Sequence, residues 1–473
     1  MGAACCAGAA IAGSAPPTTL LDGTIYSFLS AIPIALYHYY PQITMVFVTL
    51  LVVAASSFYL VIVLLTPEQK SSSPSELTFL STDAKEPQPL PSLLEELEEK
   101  EDGINAPVQL SVVVPAYNEK ERLPVMLKET VEFLESLKTQ KRSLVQGLDD
   151  KPSSNGEALP NGKPHLNGDA SIDSTISSSV HSALHSPLTT YEIIIVDDGS
   201  RDNTHQVALD FASHFSSPAT LRVVRLVKNR GKGGAVRHGV LHSRGSLILF
   251  ADADGATSFS DLTKLCTTLS QVATAKGHGV AVGSRAHMVK SDAVVKRSFI
   301  RNFLMHSFHL FLTLLLRPPT LGGLIRRLRG ANGKSPQRAC GERRTALPLQ
   351  PEIKDTQCGF KLFTRPTARL VFPTSHIDGW IFDVELLMLA QTSSQLALQQ
   401  QPPSPTFTGM DDDMDHKSLK RLPIPIAEVA VDWQEVGGSK IDLVKDSIRM
   451  ALDLVVIRAN YGLNRWKNPP PAL

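Results

Sequence analysis

The chain has 473 residues, and its 47 basic against 46 acidic side chains leave a formal net charge of +1. That length supports one large domain or two ordinary ones with a sizeable core, and the balanced charge gives no global field to attract nucleic acid. Five scattered cysteines, Cys5, Cys6, Cys266, Cys340 and Cys358, make no CxxC pair and no zinc-spaced group, which argues against a disulfide framework and for a reducing compartment.

Residues 1–42 carry no Lys or Arg, so they lack the charged start of a secretory signal. Ile43 to Leu65 is an uncharged apolar run. At ~1.5 Å per residue it is long enough to cross ~30 Å of hydrocarbon, and its lack of a polar face favours a membrane span over a buried core helix. Lys70 and Lys85 follow it with nothing basic before it, so the positive-inside bias places the C-terminal bulk in the cytosol. Residues 66–107, rich in Ser, Pro and Glu, are expected to be a stalk.

A domain over residues 108–466 follows, with a short tail at 467–473. Val108 to Val114 is an apolar strand that breaks at Pro115-Ala116-Tyr117-Asn118-Glu119, and Glu121 to Leu137 has a helical rhythm. Residues 139–190 are poor in large apolar side chains and are expected to form a disordered surface insertion. Tyr191 to Val196 is a strand ending in Asp197-Asp198-Gly199-Ser200, with a helix starting near Asp202-Asn203-Thr204. Leu221 to Leu226 is another strand, followed by Asn229-Arg230-Gly231-Lys232-Gly233-Gly234 and a helix from Ala235. Leu247 to Ala251 is a buried strand that stops at Asp252-Ala253-Asp254-Gly255, and Gly279 to Val282 is a fifth, ending in Gly283-Ser284-Arg285.

Strands and helices thus alternate, the signature of a parallel sheet wrapped by helices. Right-handed crossovers put the strand ends on one edge of the sheet. Val294 to Arg317 is a largely apolar helix or two, with Lys296, Arg297 and Arg301 near its start, suited to a membrane interface or to a core. Residues 318–351 and 393–420 are expected to be further insertions, the first rich in Gly and Arg, the second in Gln, Pro and Asp. Between them lie Asp355 to Lys361 and His376 to Glu385, the latter leading into a helix over Leu386 to Gln391. A strand at Ile424 to Val431, a turn at Trp433 to Lys440 and an apolar helix at Leu443 to Tyr461 complete the domain.

Asp252 and Asp254 are two hard oxygen donors at a strand end, suited to Mg²⁺ or Mn²⁺ that is also held by a diphosphate, although Asp and Gly are equally ordinary turn residues. The glycines around Gly231 let backbone approach a phosphate, with Lys232 and Arg230 adding charge; a simple turn has the same composition. Asp197 and Asp198 offer acceptors to a uracil N3–H and to ribose hydroxyls, or serve a helix-capping turn. Trp380 and Trp433 are suited to stacking on a sugar, or to core packing.

The ordered series Val112 to Glu119, Val196 to Ser200, Asn229 to Gly234, Ala251 to Thr257, Gly283 to Arg285, Asp355 to Lys361 and Trp380 to Glu385 resembles the family-2 inverting glycosyltransferases of the GT-A fold, and among them the enzymes that use dolichyl phosphate as acceptor. The resemblance spans the apolar run at 43–65 and nearly all of the domain outside the three insertions. It implies an α/β fold with a mostly parallel sheet, UDP-glucose as donor, Mg²⁺ or Mn²⁺ on Asp252 and Asp254, and dolichyl phosphate in the endoplasmic reticulum membrane as acceptor. Dolichyl β-D-glucosyl phosphate, a sugar donor for protein N-glycosylation, would be the product.

Donor contacts are expected from Pro115, Tyr117, Glu119, Asp197, Asp198, Gly231, Lys232, Asp252 and Lys440. Asp252, Asp254, Asp383 and Glu385 are the catalytic candidates, and Arg285, Arg297 and Arg301 the candidates for clamping the acceptor phosphate in a bidentate fork. Related mannosyltransferases often place another polar ligand two residues beyond the Asp-x-Asp; here Ala256 excludes one. The alternatives are a GDP-mannose enzyme, another family-2 transferase, and a membrane-tethered sugar-nucleotide-binding scaffold. The last is disfavoured by the presence of both aspartates.

Overall fold

The computed structural model describes residues 38–68, 70–80, 86–95, 107–149, 172–214, 220–290, 353–400, 422–438 and 442–472. The chain divides into two units, Met1–Thr66 and Pro67–Leu473. In the first, helix α1 (Pro41–Leu65) has a proline in its opening turn, where no backbone N–H is needed. Its apolar side chains are almost all exposed, and it is long and apolar enough to cross a membrane.

The second unit is built on a seven-stranded sheet. Its strands are β3 (Val108–Ala116), β4 (Tyr191–Asp197), β5 (Leu221–Arg225), β6 (Gly245–Ala251), β7 (Val280–Ser284), β8 (Phe360–Thr364) and β9 (Ile426–Ala430), in the spatial order β5-β4-β3-β6-β8-β7-β9. Every neighbouring pair is parallel except those made by β8, which lies antiparallel between β6 and β7. The continuous apolar runs Val112–Val114, Ile193–Val196 and Leu247–Phe250 are fully buried because helices cover both faces.

One face packs against α2 (Leu123–Asp149), α3 (Ile172–His185), α4 (Thr204–Ala212) and α6 (Leu262–Val272), through residues such as Leu127, Val180, Ala208 and Leu265. The other packs against α5 (Lys232–Leu241), α7 (Arg365–Val371), α8 (Phe382–Gln400) and α9 (Leu443–Gly462), through Val236, Val371, Leu389 and Ile457. Each such Val, Leu or Ile side chain contributes roughly 1.5–3 kcal/mol by leaving water. The parallel arrangement brings the carboxyl ends of β3, β4, β6 and β7 to one edge, as expected.

Three expectations change. Much of the stretch read as a stalk is docked on the domain rather than separating it from anything. A short 3₁₀ turn at Pro74–Leu77 leads into β1 (Thr78–Phe79), which pairs with β2 (Gln88–Pro89), while Leu80 bridges to Val223 on the β5 edge. Phe79 and Leu93 are fully buried there. Within the expected insertion at 139–190, α2 continues to Asp149 and α3 buries Val180 and Ala183. A few small apolar residues at helical spacing were enough to seat that helix. Finally, α8 extends to Gln400 through residues expected as insertion, burying Ser393, Ser394 and Ala397. The expected helix at 294–317, the stretch 318–351 and most of 393–420 lie outside the described residues.

Candidate active site

Strand β6 delivers Asp252 and Asp254 to the sheet edge, and Gly255, at φ +69°, turns the chain away. The Asp252 N–H donates to the Gly359 carbonyl at 3.1 Å, and the Asp252 carboxylate occupies the space a Cβ on Gly359 would need. Asp252 Oδ1 lies 2.6 Å from Lys232 Nζ. Lys232 holds its proton above the ordinary lysine range: burial opposes this, but Asp252, Asp383 and Asp254 outweigh it. The Asp254 carboxyl is pushed up by burial and by Asp252, while it accepts the Ala256 N–H at 3.0 Å.

Behind this pair, Lys361 on β8 donates to Asp383 on α8 at 2.6 Å, and both are buried. Burial pushes the Asp383 carboxyl up against the pull of Lys361 and Lys232. Three carboxylates therefore meet two ammonium groups at the strand end. That excess of negative charge suits a divalent cation. Among the described residues no group of three or more His, Cys, Asp or Glu side chains forms a metal cage. Asp252 and Asp254 thus fit an ion that takes its other ligands from substrate, the usual habit of Mg²⁺ at diphosphates.

The glycine turn is set by close approach. Gly231 sits at φ +95°, and a Cβ there would meet the Asp378 carbonyl at 2.6 Å; the Gly234 N–H donates to that same carbonyl at 3.2 Å. Helix α5 starts at Lys232, three residues earlier than expected. Asp198 holds the turn from below, accepting the Arg230 N–H at 2.7 Å and the Gly231 N–H at 2.9 Å. Burial pushes its carboxyl up to about 7, opposed by those two N–H groups and by Lys70. Asp197 is fully buried and accepts the Ser200 N–H at 2.9 Å. Both carboxylates lend oxygens to their own loops, as a helix-capping turn would, while Asp197 Oδ2 is buried without a hydrogen-bond partner.

Pro115 and Tyr117 are partly buried at the end of β3, beside Asp197 through the Ala116–Asp197 register, and Glu119 makes a two-pronged pair with Arg122 at 2.7 Å on each arm. Two further expectations are corrected. Glu385 is fully buried and accepts from the His376 N–H, the Ile377 N–H at 2.7 Å and the Tyr461 hydroxyl at 2.9 Å, so it braces the loop over the glycine turn, where a catalytic carboxylate was expected. Arg285 directs its fork to Asp355, at 2.7 Å from Nε and 3.0 Å from Nη2, where a phosphate clamp was expected. Arg297, Arg301 and Lys440 lie outside the described residues.

The two tryptophans border the site. Lys232 Nζ lies 5.8 Å from the Trp380 ring, and the Arg285 guanidinium 5.5 Å from Trp433, which bridges to Thr257 on the loop after Asp254. The sequence reading gave no role to Lys361, Asp378 or Glu76. A lysine within the apolar strand Phe360–Phe363 was a readable sign of a buried partner, since an unpaired buried charge is costly. Asp378 acts through its backbone carbonyl and gave no such sign.

The description "Glycosyl transferase family 2" matches residues 169–327, across β4 to β7. The sheet and its acidic strand end accordingly define a glycosyltransferase with the GT-A architecture. Relatives called dolichyl-phosphate beta-glucosyltransferase are similar over most of their length. The Dictyostelium discoideum protein is 37% identical over 76% of this chain and 77% of its own. The Saccharomyces cerevisiae protein is 34% identical over 89% of this chain and 95% of its own, and the Homo sapiens protein 35% over 76% and 78%. The chain belongs to the dolichyl-phosphate β-glucosyltransferase family. Among solved structures, a Mycobacterium tuberculosis glucosyl-3-phosphoglycerate synthase with UDP aligns over 78% of this chain and 88% of that one, at 16% identity and a TM-score of 0.34.

Proposed function

We propose that the protein transfers glucose from UDP-glucose to dolichyl phosphate with inversion, giving dolichyl β-D-glucosyl phosphate for protein N-glycosylation. Family membership supports donor and acceptor. The observation that carries the chemistry is the Asp252–Lys232 contact beside Asp254 at the carboxyl end of β6. Asp252 and Asp254 would hold Mg²⁺ or Mn²⁺, which supplies charge stabilisation to the UDP leaving group. Lys232 supplies fixed positive charge at the same edge, and Asp383 with Lys361 sets the field behind it. The acceptor phosphate is already anionic near neutral pH. Its oxygen forms the new bond to the anomeric carbon as the bond to UDP breaks, so no strong general base is required.

Pro115, Tyr117, Glu119, Asp197, Asp198, Gly231 and Lys440 remain proposed donor contacts, and Arg297 and Arg301 proposed acceptor contacts. Arg285 would have to exchange Asp355 for phosphate to join them. Helix α1 would anchor the protein as a single pass in the endoplasmic reticulum membrane, with the second unit in the cytosol. The test is transfer of radiolabelled sugar to dolichyl phosphate by the full chain in detergent, with and without Mg²⁺. Glucosyl transfer from UDP-glucose that requires metal is expected; transfer of mannose from GDP-mannose alone would overturn the donor. Protease added to sealed microsomes should digest the second unit, and protection would reverse the orientation.

A further inference from the structure

The segment that follows α1 grips the glycine turn through one buried carboxylate. Glu76 is 2% exposed and uses both oxygens: Oε1 accepts the Val227 N–H at 2.8 Å, and Oε2 accepts the Ser73 N–H at 2.7 Å and Arg230 Nη2 at 2.5 Å. The Arg230 guanidinium also reaches the carbonyls of Lys70 and Ser71, each at 3.4 Å. From α5, His238 Nε2 donates to the Glu76 carbonyl at 2.8 Å. Lys70 Nζ returns a bond to the Asn229 carbonyl at 3.3 Å. Residues 70–76 thus form a strap tied to both sides of the turn that presents Lys232 to Asp252.

We propose that Glu76 is a positioning residue for the donor site, acting through Arg230 to hold the Val227–Gly231 turn so that Lys232 reaches Asp252. This rests on the reading of Lys232 and Asp252 as that site. The physical argument concerns what is left behind. Arg230 is 9% exposed, so removing the Glu76 charge leaves a buried guanidinium short of its counter-ion. A buried charge stripped of its partner is strongly unfavourable, and the turn relieves it by moving toward water. Asp198 still holds the backbone of Arg230 and Gly231. The turn therefore loosens rather than unfolds.

The test uses the full chain in detergent, comparing wild type with Glu76→Gln, Arg230→Gln and the double variant. UDP binding by calorimetry and the separate KM values for UDP-glucose and dolichyl phosphate are measured beside the melting temperature. Glu76→Gln is expected to raise the donor KM and the UDP Kd by about tenfold while kcat falls less than about threefold and the acceptor KM stays put. The double variant should be no worse than about the poorer single one, because the two residues act as one unit. A lowered melting temperature with unchanged donor KM and UDP Kd would make Glu76 merely structural and overturn the proposal. Should a variant fail to fold, Arg230→Lys, which keeps the charge but not the fork, must still weaken UDP binding. A wild-type chain that binds no UDP overturns the donor-site reading itself, a different result from a variant that binds as well as wild type.

Discussion

In the sequence Asp252 and Glu385 are alike, acidic residues next to a strand end and a helix start, and both are candidates for catalysis. Burial and bonding separate them. Asp252 stands at the open edge with a side chain 34% exposed and a lysine on one oxygen, whereas Glu385 is closed in by three donor residues. Asp252→Asn should lower kcat/KM for glucosyl transfer by at least about 100-fold, the scale of losing a charged group that acts in the transition state, with little change in melting temperature. Transfer within tenfold of wild type would remove Asp252 from the chemistry. Glu385→Gln is expected to do the reverse. Its amide would turn an N–H group toward the N–H donors of His376 and Ile377, costing about 1–3 kcal/mol of stability, read as a lower midpoint in denaturant. What the sequence lacked was the direction each carboxylate faces, which depends on contacts from segments far along the chain.

At the scale of elements, the strands of the sheet were legible because a strand buried on both faces is an unbroken apolar run, as in Val112–Val114 and Ile193–Val196. The strap was not. Its polar residues have the composition of a linker, and its burial comes from Arg230 and His238, more than 150 positions away. Its dependence on pH can be worked out. The Glu76 carboxyl is held below its ordinary 4.5: burial opposes this, and the bonds from Ser73 and Val227 with the charge of Arg230 outweigh it. A carboxyl with a lowered folded pKa contributes stability that is whole above its unfolded pKa and lost as pH falls through the folded one.

His238 is pushed down to about 4 by burial and by His242, so the unfolded chain takes up that proton first and the strap weakens as pH drops from 6.5. Both groups act in the same direction. Amide protection in residues 70–80, taken relative to the intrinsic exchange rate at each pH, should therefore fall below pH 6.5 and more steeply below 4.5. In Glu76→Gln the steep lower limb should disappear. A profile in that variant identical to wild type would show that Glu76 does not hold the strap.

For the whole molecule, the sequence reading drew the domain from residue 108 because the first unmistakable strand begins there. The packing draws it earlier, since Phe79 and Leu93 are fully buried in the same core as α5 and α8, and the Arg222 guanidinium lies 4.7 Å from the Phe79 ring. The second unit starts at Pro67. A chain beginning at Pro67 is accordingly expected to melt within a few degrees of the full protein and to bind UDP with unchanged affinity, while losing its association with membranes. One beginning at Pro107 loses Glu76, Phe79 and Leu93 together. Burial of the two apolar side chains alone is worth roughly 1.5–3 kcal/mol each, enough to lower the melting temperature of a marginally stable domain by several degrees. Its donor KM should rise as well, through the turn that Arg230 no longer anchors. Calorimetry with UDP on the two truncated chains measures both effects, and equal stability and affinity in the two would mean that residues 67–106 are a spacer after all.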